Sequence, residues 1–298
     1  MATSWTGISA KWCNTDTTMT VISRAPKTAF IQASKYDGRW GCHPYLSKSC
    51  KAAATALKAL GYTVRTFTPT KLPPRHRVTP HTPVKGDTAC VKYLYERAFP
   101  GVAYPNFDVP EPLARFARRT ITQSTLGELR AQHRAHPIAY GTKFVKPSAQ
   151  AKLFYGRDAS YAAEYRSELL DSTPIAVQEY RNFQDETRFF VSPWTGPVTV
   201  EGHTDFLDRT ELRNFKRITE YANTIYETWK PTGPKCYVMD VGLSSKPGSD
   251  RMYPTLVEIN SVLTAGNLDE VKPKTNHPGR LVATGWRSYA RYAERGEF

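Results

Sequence analysis

Short apolar runs recur along this chain, separated by stretches in which apolar residues return every three or four positions. Thr28-Ala-Phe-Ile-Gln32 reads as a first strand, and a glycine- and aromatic-rich loop, Tyr36 to His43, follows. From Ser47 to Leu60 the residues Cys50, Ala53, Ala54, Leu57 and Leu60 share one helical face, with Ser47 as cap and Gly61 as stop. Tyr62 to Phe67 is a strand again, and strand–helix–strand predicts a parallel α/β unit. Pro69, Pro73, Pro74, Pro80 and Pro83 make Thr68 to Val84 a surface loop. A helix is predicted from Thr88 to Arg97, an irregular stretch from Pro100 to Pro112, a short basic helix from Leu113 to Arg119, and a helix through His133 capped by Ser124 or Thr125. Strands are predicted at Thr142–Lys146, Ile175–Tyr180 and Glu186–Val191, and a helix at Asp208–Trp229. Strand pairs and helices alternate in this later half, which predicts an α+β arrangement.

The last two strands break the pattern. Cys236-Tyr-Val-Met-Asp-Val-Gly-Leu243 and Thr255-Leu-Val-Glu-Ile-Asn-Ser261 read as core strands, yet they carry Asp240, Glu258 and Asn260. Side chains alternate between the faces of a strand, so Val257 and Ile259 share one face and Leu256, Glu258 and Asn260 the other. A buried acid is costly unless it is paired or bound to a cation. Two acids and an amide on strands able to pair predict a hard-metal site; the alternative is a buried ion pair with Arg188 or a lysine.

Composition narrows the setting. The 298 residues can bury a sizeable core, and 40% hydrophobic with 23% charged residues is ordinary for a globular protein. No apolar run approaches the ~20 residues that cross a bilayer. The N-terminal residues Met1 to Gly7 lack the basic and apolar regions of a secretory signal, so a cytoplasmic protein with no membrane partner is expected. The five cysteines are scattered without a CxxC spacing and are expected as reduced thiols, not a zinc site or a disulfide framework. Lysine and arginine exceed aspartate and glutamate, 41 against 27, a net charge of +14. That balance favours polyanionic partners: nucleotide phosphates, an acidic substrate or nucleic acid. The basic clusters are Lys71 to Arg77, Arg115/Arg118/Arg119, Arg130/Arg134 and Arg287/Arg291/Arg295.

Four features then fall in order. Phe144-Val-Lys146-Pro147-Ser148 is an apolar strand ending in a lysine, a suitable point charge for phosphate, and Lys152 follows in Lys152-Leu-Phe-Tyr-Gly156. Val177-Gln178-Glu179-Tyr180 ends an apolar strand in polar residues, as a hinge for a planar heterocycle does. Glu186-Thr-Arg188-Phe-Phe-Val191 sets one arginine in a strand, where it can clamp phosphate bidentately. Asp240, Glu258 and Asn260 complete the set.

On these residues, together with Val84-Lys-Gly-Asp87 opening a helix, Tyr104-Pro105, and Thr125-Leu126 to Leu129, the chain resembles the ATP-grasp superfamily. It is most similar to the short branch marked by one arginine and two lysines. The resemblance spans roughly Val84 to Asn267. It implies an α+β ATP-grasp fold, two subdomains clasping ATP, over residues 96–298, preceded by a small α/β domain over 1–95. It further implies that Lys146 and Lys152 contact phosphates, that Gln178, Glu179 and Tyr180 form the adenine hinge, that Arg188 stabilises the transferring phosphoryl group, and that Asp240, Glu258 and Asn260 hold Mg²⁺. The implied activity is that of an ADP-producing ligase joining a carboxylate to an amine through an acyl phosphate. A nucleic-acid-binding or nucleic-acid-modifying protein on the same scaffold, and a phosphotransferase, are the alternative readings. The loop after Asn260, Ser261-Val-Leu-Thr-Ala-Gly266, departs from the small-residue loop of many relatives, so acceptor identity does not transfer. Arg115, Arg118, Arg119 and the Tyr36–His43 loop are candidates for acceptor binding.

Overall fold

The computed structural model describes residues 27–33, 44–105, 108–136, 138, 143–148, 156–164, 169–199, 207–246, 248–271 and 277–295. Within them the chain builds three sheets. The first is parallel and made of β1 (Thr28–Gln32), β2 (Thr63–Phe67) and β3 (Val84–Lys85), in the order β2-β1-β3. Helix α1 (Pro44–Ala59) links β1 to β2, as the alternating pattern predicts, but it starts three residues before Ser47. Helix α2 (Thr88–Ala98) leaves β3 through Asp87, whose carboxylate accepts from the Cys90 N–H and so satisfies one of the orphan donors of the first turn.

The predicted basic helix at Leu113–Arg119 shrinks to a single turn, α3 (Ala114–Ala117), because Arg118 adopts the left-handed conformation with φ of 51°. A strand absent from the sequence reading, β4 (Ile121–Thr125), follows; its polar sequence Ile-Thr-Gln-Ser-Thr carries no strand signature. Helix α4 (Leu126–Ala135) begins at a capping box between Thr125 and Glu128. Strands β5 (Lys143–Pro147), β6 (Arg157–Asp158) and β7 (Pro174–Glu179) join β4 in an antiparallel sheet ordered β4-β7-β5-β6, with α5 (Ala159–Glu164) packed on it.

The third sheet, β11-β10-β8-β9, holds β8 (Gln184–Ser192), β9 (Gly196–Val198), β10 (Tyr237–Ser245) and β11 (Met252–Asn260), all antiparallel. Helix α6 (Arg209–Trp229), capped by Asp208, buries Ile218, Ala222, Ile225 and Trp229. The terminal helix α7 (Pro278–Glu294) lies against α1, where a Cβ on Gly279 would stand 2.8 Å from the Ala56 backbone.

Two apolar cores result. The larger runs without interruption from the first sheet, α1 and α2 to the third sheet, α6 and α7. The smaller, made of Leu126, Leu129, Val145, Ala159, Ala162 and Ile175, belongs to the second sheet with α4 and α5. Residues 121–179 therefore form a small lobe joined to a larger body at Arg118–Thr120 and Tyr180–Phe183. Among the described residues no helix is long and apolar enough to cross a membrane. Cys50, Cys90 and Cys236 are buried free thiols, as expected; Cys13 and Cys42 lie outside the described residues.

Candidate active site

The lobe and the body meet where the sequence concentrates its charged strand residues. Antiparallel pairing sets Asp240 opposite both Arg188 on β8 and Glu258 on β11. The Asp240 side chain is 1% exposed and receives a two-pronged contact: Arg188 Nε donates to Oδ1 at 2.8 Å and Nη2 to Oδ2 at 2.7 Å. Burial pushes the Asp240 carboxyl up and the Arg188 fork pulls it back, while the same contact raises the Arg188 guanidinium further above its ordinary value. A guanidinium does not lose its proton in a protein, so both N–H prongs act on a carboxylate.

Lys146, on β5 of the lobe, reaches across to the body. Its Nζ lies 3.0 Å from Glu258 Oε2 and 2.7 Å from Asp108 Oδ1. Asn260 completes the cluster by donating its amide to Asp240 Oδ2 at 3.1 Å and to Glu258 Oε1 at 2.7 Å. Burial raises the Glu258 carboxyl, but Lys146, Asn260 and Arg188 outweigh it and hold the group down at about 2, although a third of the side chain still faces the cleft. Glu186, two residues before Arg188, is the opposite case. Much of its side chain is exposed, yet desolvation of the carboxyl and repulsion from Asp240 and Glu258 outweigh Arg188 and push it up to about 7.

Both strand acids thus sit in ion pairs, the arrangement set against a metal site at the sequence level. The donor set still fits a hard cation. Two carboxylates converge on one amide, and half a turn of the Asn260 amide presents its carbonyl oxygen at the same place. All three ligands are then oxygen, as Mg²⁺ demands, with phosphates and water supplying the rest. Among the described residues no group of three His, Cys, Asp or Glu side chains forms a self-contained metal site, so a cation here would share its coordination with a ligand.

Of the remaining expected residues, Gln178 is buried on β7 and its Oε1 accepts from Arg119 Nε at 2.8 Å. Glu179 pairs with Arg181 at 2.5 Å. Tyr180 is 56% exposed, with its ring edge-on to Phe144 at 6.4 Å. Lys152 and the Tyr36–His43 loop lie outside the described residues. Gly156, which closes the Lys152 turn, packs flat on Phe144: a Cβ there would stand 2.2 Å from the ring.

Three contributors escaped the sequence reading. Asp108, between prolines in an irregular stretch, holds Lys146, and its carbonyl accepts from the Ile259 N–H at 2.6 Å along the free edge of β11. Arg119 is corrected from acceptor-binding candidate to tie-bar. Asp240 pairs with Glu258 but Val241 with Leu256, so Val257 is an extra residue, a bulge. Arg119 Nη1 and Nη2 take the Leu256 and Val257 carbonyls at this bulge, each at 2.7 Å, while Nε holds Gln178 of the lobe. Burial and the nearby Arg181 charge lower the guanidinium to about 10 without discharging it at neutral pH. Arg181 links the two lobe connections by donating to the Arg118 and Ser245 carbonyls. A run of arginines is the only signal these residues leave in the sequence, and it reads equally as a solvated surface.

The Val84–Asp87 motif is structural. Lys85 is fully buried and its Nζ donates to the Ala265 carbonyl at 2.7 Å and the Val262 carbonyl at 3.4 Å. The Gly86 N–H takes the Leu263 carbonyl. Gln32 and Asp87 bond reciprocally, and a Cβ on Gly86 would stand 2.3 Å from Gln32 Oε1. With Ser49 on the Ala265 carbonyl, Tyr104 on Ser261 Oγ and the Tyr289 hydroxyl on the Val262 N–H, the loop after Asn260 is anchored from both ends of the chain.

Two sheets meeting at a cleft lined by lysine, arginine and carboxylates, behind a parallel α/β unit, define an ATP-grasp protein. The chain belongs to the family described as an ATP-grasp domain, family 2 of its clade, which matches residues 116–276, more than half of its length. No curated protein matches it in sequence. Similar solved structures include the D-alanine–D-alanine ligase of Coxiella burnetii, with a TM-score of 0.48, 13% identity, and coverage of 91% of this chain and 96% of that one. The RimK domain ATP-grasp protein of Sphaerobacter thermophilus gives a TM-score of 0.45 and 14% identity over 90% of this chain and 99% of its own. The ATP complex of the Bacillus anthracis D-alanine–D-alanine ligase gives 0.45 and 12%, over 91% and 100%. These likenesses concern the fold.

Proposed function

We propose that this chain is an ATP- and Mg²⁺-dependent ligase that joins a carboxylate to an amine, with release of ADP. The observation that carries the reading is the meeting of Lys146 from the lobe with Asp240, Glu258, Asn260 and Arg188 from the body, within a family of ATP-grasp domains. Such a cluster holds cationic groups for phosphate and oxygen ligands for a metal in one place. It contains no serine–histidine or cysteine–histidine pair to act as a nucleophile. Phosphoryl transfer requires that combination, positioning and charge neutralisation without covalent chemistry by the protein.

In this reading Gln178, Glu179 and Tyr180 receive the adenine at the connection between lobe and body, with ribose at Glu179. Lys146, and Lys152 with it, neutralise the phosphates. Asp240, Glu258 and Asn260 hold Mg²⁺, which supplies Lewis-acid charge neutralisation when bound. Arg188 keeps one prong on Asp240 and turns its exposed edge to the phosphoryl group as that group passes to the substrate carboxylate. The carboxylate oxygen forms the new P–O bond as the bond to ADP breaks. The amine then forms the C–N bond and inorganic phosphate leaves with the acyl C–O electron pair. Glu186, close to half-protonated at neutral pH, stands beside Arg188, where a proton from the attacking amine must go.

The test is mass spectrometry of the protein with ATP, Mg²⁺ and a pool of amino acids and nucleosides, alongside thermal shift with a non-hydrolysable ATP analogue. A condensed product with stoichiometric ADP, lost in Glu258→Ala, is expected. A phosphorylated compound that accumulates without an amine would replace the ligase by a phosphotransferase, and analogue binding unaffected by Glu258→Ala would overturn the site.

A further inference from the structure

Away from the cleft, on the far side of Arg119, cations and aromatic rings alternate without a break. The Arg115 guanidinium lies over Phe116 at 4.9 Å, Phe116 meets Tyr221 edge-on at 5.6 Å, and Arg118 lies over Tyr221 at 5.4 Å. Arg118 also lies over Tyr253 at 5.5 Å, and Arg251 over the same ring at 5.1 Å. The run is contributed by α3, α6 and the start of β11, and hydrogen bonds fix it. Arg118 Nε donates to the Pro254 carbonyl at 3.0 Å, Tyr221 Oη to the Phe116 carbonyl at 3.0 Å, and Arg217 Nη2 to the Met252 carbonyl at 2.7 Å. Among the described residues no carboxylate stands within ion-pair distance of Arg115, Arg118, Arg217 or Arg251.

We propose that this surface docks a single-stranded nucleic acid. A solvated basic face ordinarily carries flexible side chains interspersed with acids. Here the guanidinium planes are held against rings, so little rotamer freedom remains to be lost on binding, and no intramolecular acid competes for them. Stacking leaves the donor edges of each guanidinium turned outward, where the fork matches a phosphate. Arg115 and Arg251 are exposed and each covers its ring with one face only, which leaves the other face for a base. An acidic peptide would use the edges and leave the faces idle; a nucleic-acid strand uses both. The net charge of +14 supplies the long-range attraction. This inference does not rest on the ligase reading, since none of its residues belongs to the cleft.

The experiment is fluorescence anisotropy of the full chain with a labelled mixed-sequence single-stranded RNA of about 20 nucleotides, long enough to offer the ~4–16 nucleotides that single-strand sites span, over a potassium chloride series. Binding that weakens linearly in log[salt] is expected. The triple variant Arg115→Gln/Arg118→Gln/Arg251→Gln should lose roughly tenfold or more in affinity, with the slope falling by about 0.7 per phosphate contact removed. The exposed triple Lys71→Gln/Arg75→Gln/Arg77→Gln, equal in charge, should lose far less. Should the first triple misfold, Arg115→Gln/Arg251→Gln replaces it, because neither side chain makes a hydrogen bond. Tyr253→Leu, which removes a ring and no charge, should lower affinity and leave the slope unchanged. Equal losses in both triples, full competition by polyglutamate at matched charge, or no salt-dependent binding by the parent chain would each overturn the proposal.

Discussion

Glu186 and Glu258 show how far neighbours set the behaviour of one residue type. Both lie on strands of a single sheet, yet one carboxyl is pushed up to about 7 and the other held at about 2. Glu258 has Lys146 and Asn260 on its oxygens; Glu186 faces Asp240 and Glu258 with Arg188 already committed. The signs of their contributions differ accordingly. A carboxyl raised in the folded state stabilises the fold least once pH exceeds its folded value, because the unfolded chain ionises more readily. Replacing Glu186 by Gln should therefore raise the thermal midpoint at pH 8, by about 1–3 °C given the exposure of the side chain, and leave it unchanged near pH 4. A pH series of thermal unfolding in the variant and parent checks this; a gain at pH 4 equal to that at pH 8 would contradict it. For Glu258 the stability is present above pH 4.5 and is lost as pH falls toward 2.

At the scale of elements, the loop from Ser261 to Gly266 is governed by parts of the chain far from it in sequence. Lys85, Gly86, Ser49, Tyr104 and Tyr289 take its polar groups, so a segment that reads as an open loop becomes an internal strut beginning one residue after Asn260. Lys85→Met keeps the volume and removes the two donor contacts, each worth about 1 kcal/mol. Hydrogen exchange of amides 262–268 should quicken by roughly tenfold or more, while exchange in β10 and α7 stays as before. Uniform quickening across the body would make Lys85 a general stabiliser instead of a loop anchor. The loop was flagged by its departure from the family pattern. Its anchorage was invisible, because it joins residues 177 and 180 positions apart.

At the scale of the molecule, two separate cores imply two stabilities. The small core of the lobe holds six residues, and Leu129 is fully buried among them. Leu129→Ala should destabilise the lobe by about 2–4 kcal/mol, seen as lost exchange protection in α4, β5 and β7 with protection in β10 and α6 retained. Loss spread evenly over both cores would show a single cooperative unit. Lobe and body are nonetheless tied, through Lys146 to Glu258 and through Arg119 between Gln178 and the bulge at Val257.

The local periodicities of the chain determined most helices and strands, and the oddity of Asp240, Glu258 and Asn260 on core strands located the cleft, because burial leaves a charge only where something answers it. What answers the charge was decided by tertiary structure. Whether Asp240 meets Arg188 follows from strand register, and whether Glu258 meets Lys146 from the meeting of two sheets, neither of which is written in local sequence. The polar strand β4, the bulge at Val257 and the roles of Asp108, Arg119 and Lys85 were likewise fixed by contacts between distant segments. Periodicity reports which face of an element is buried; only the packed chain reports against what.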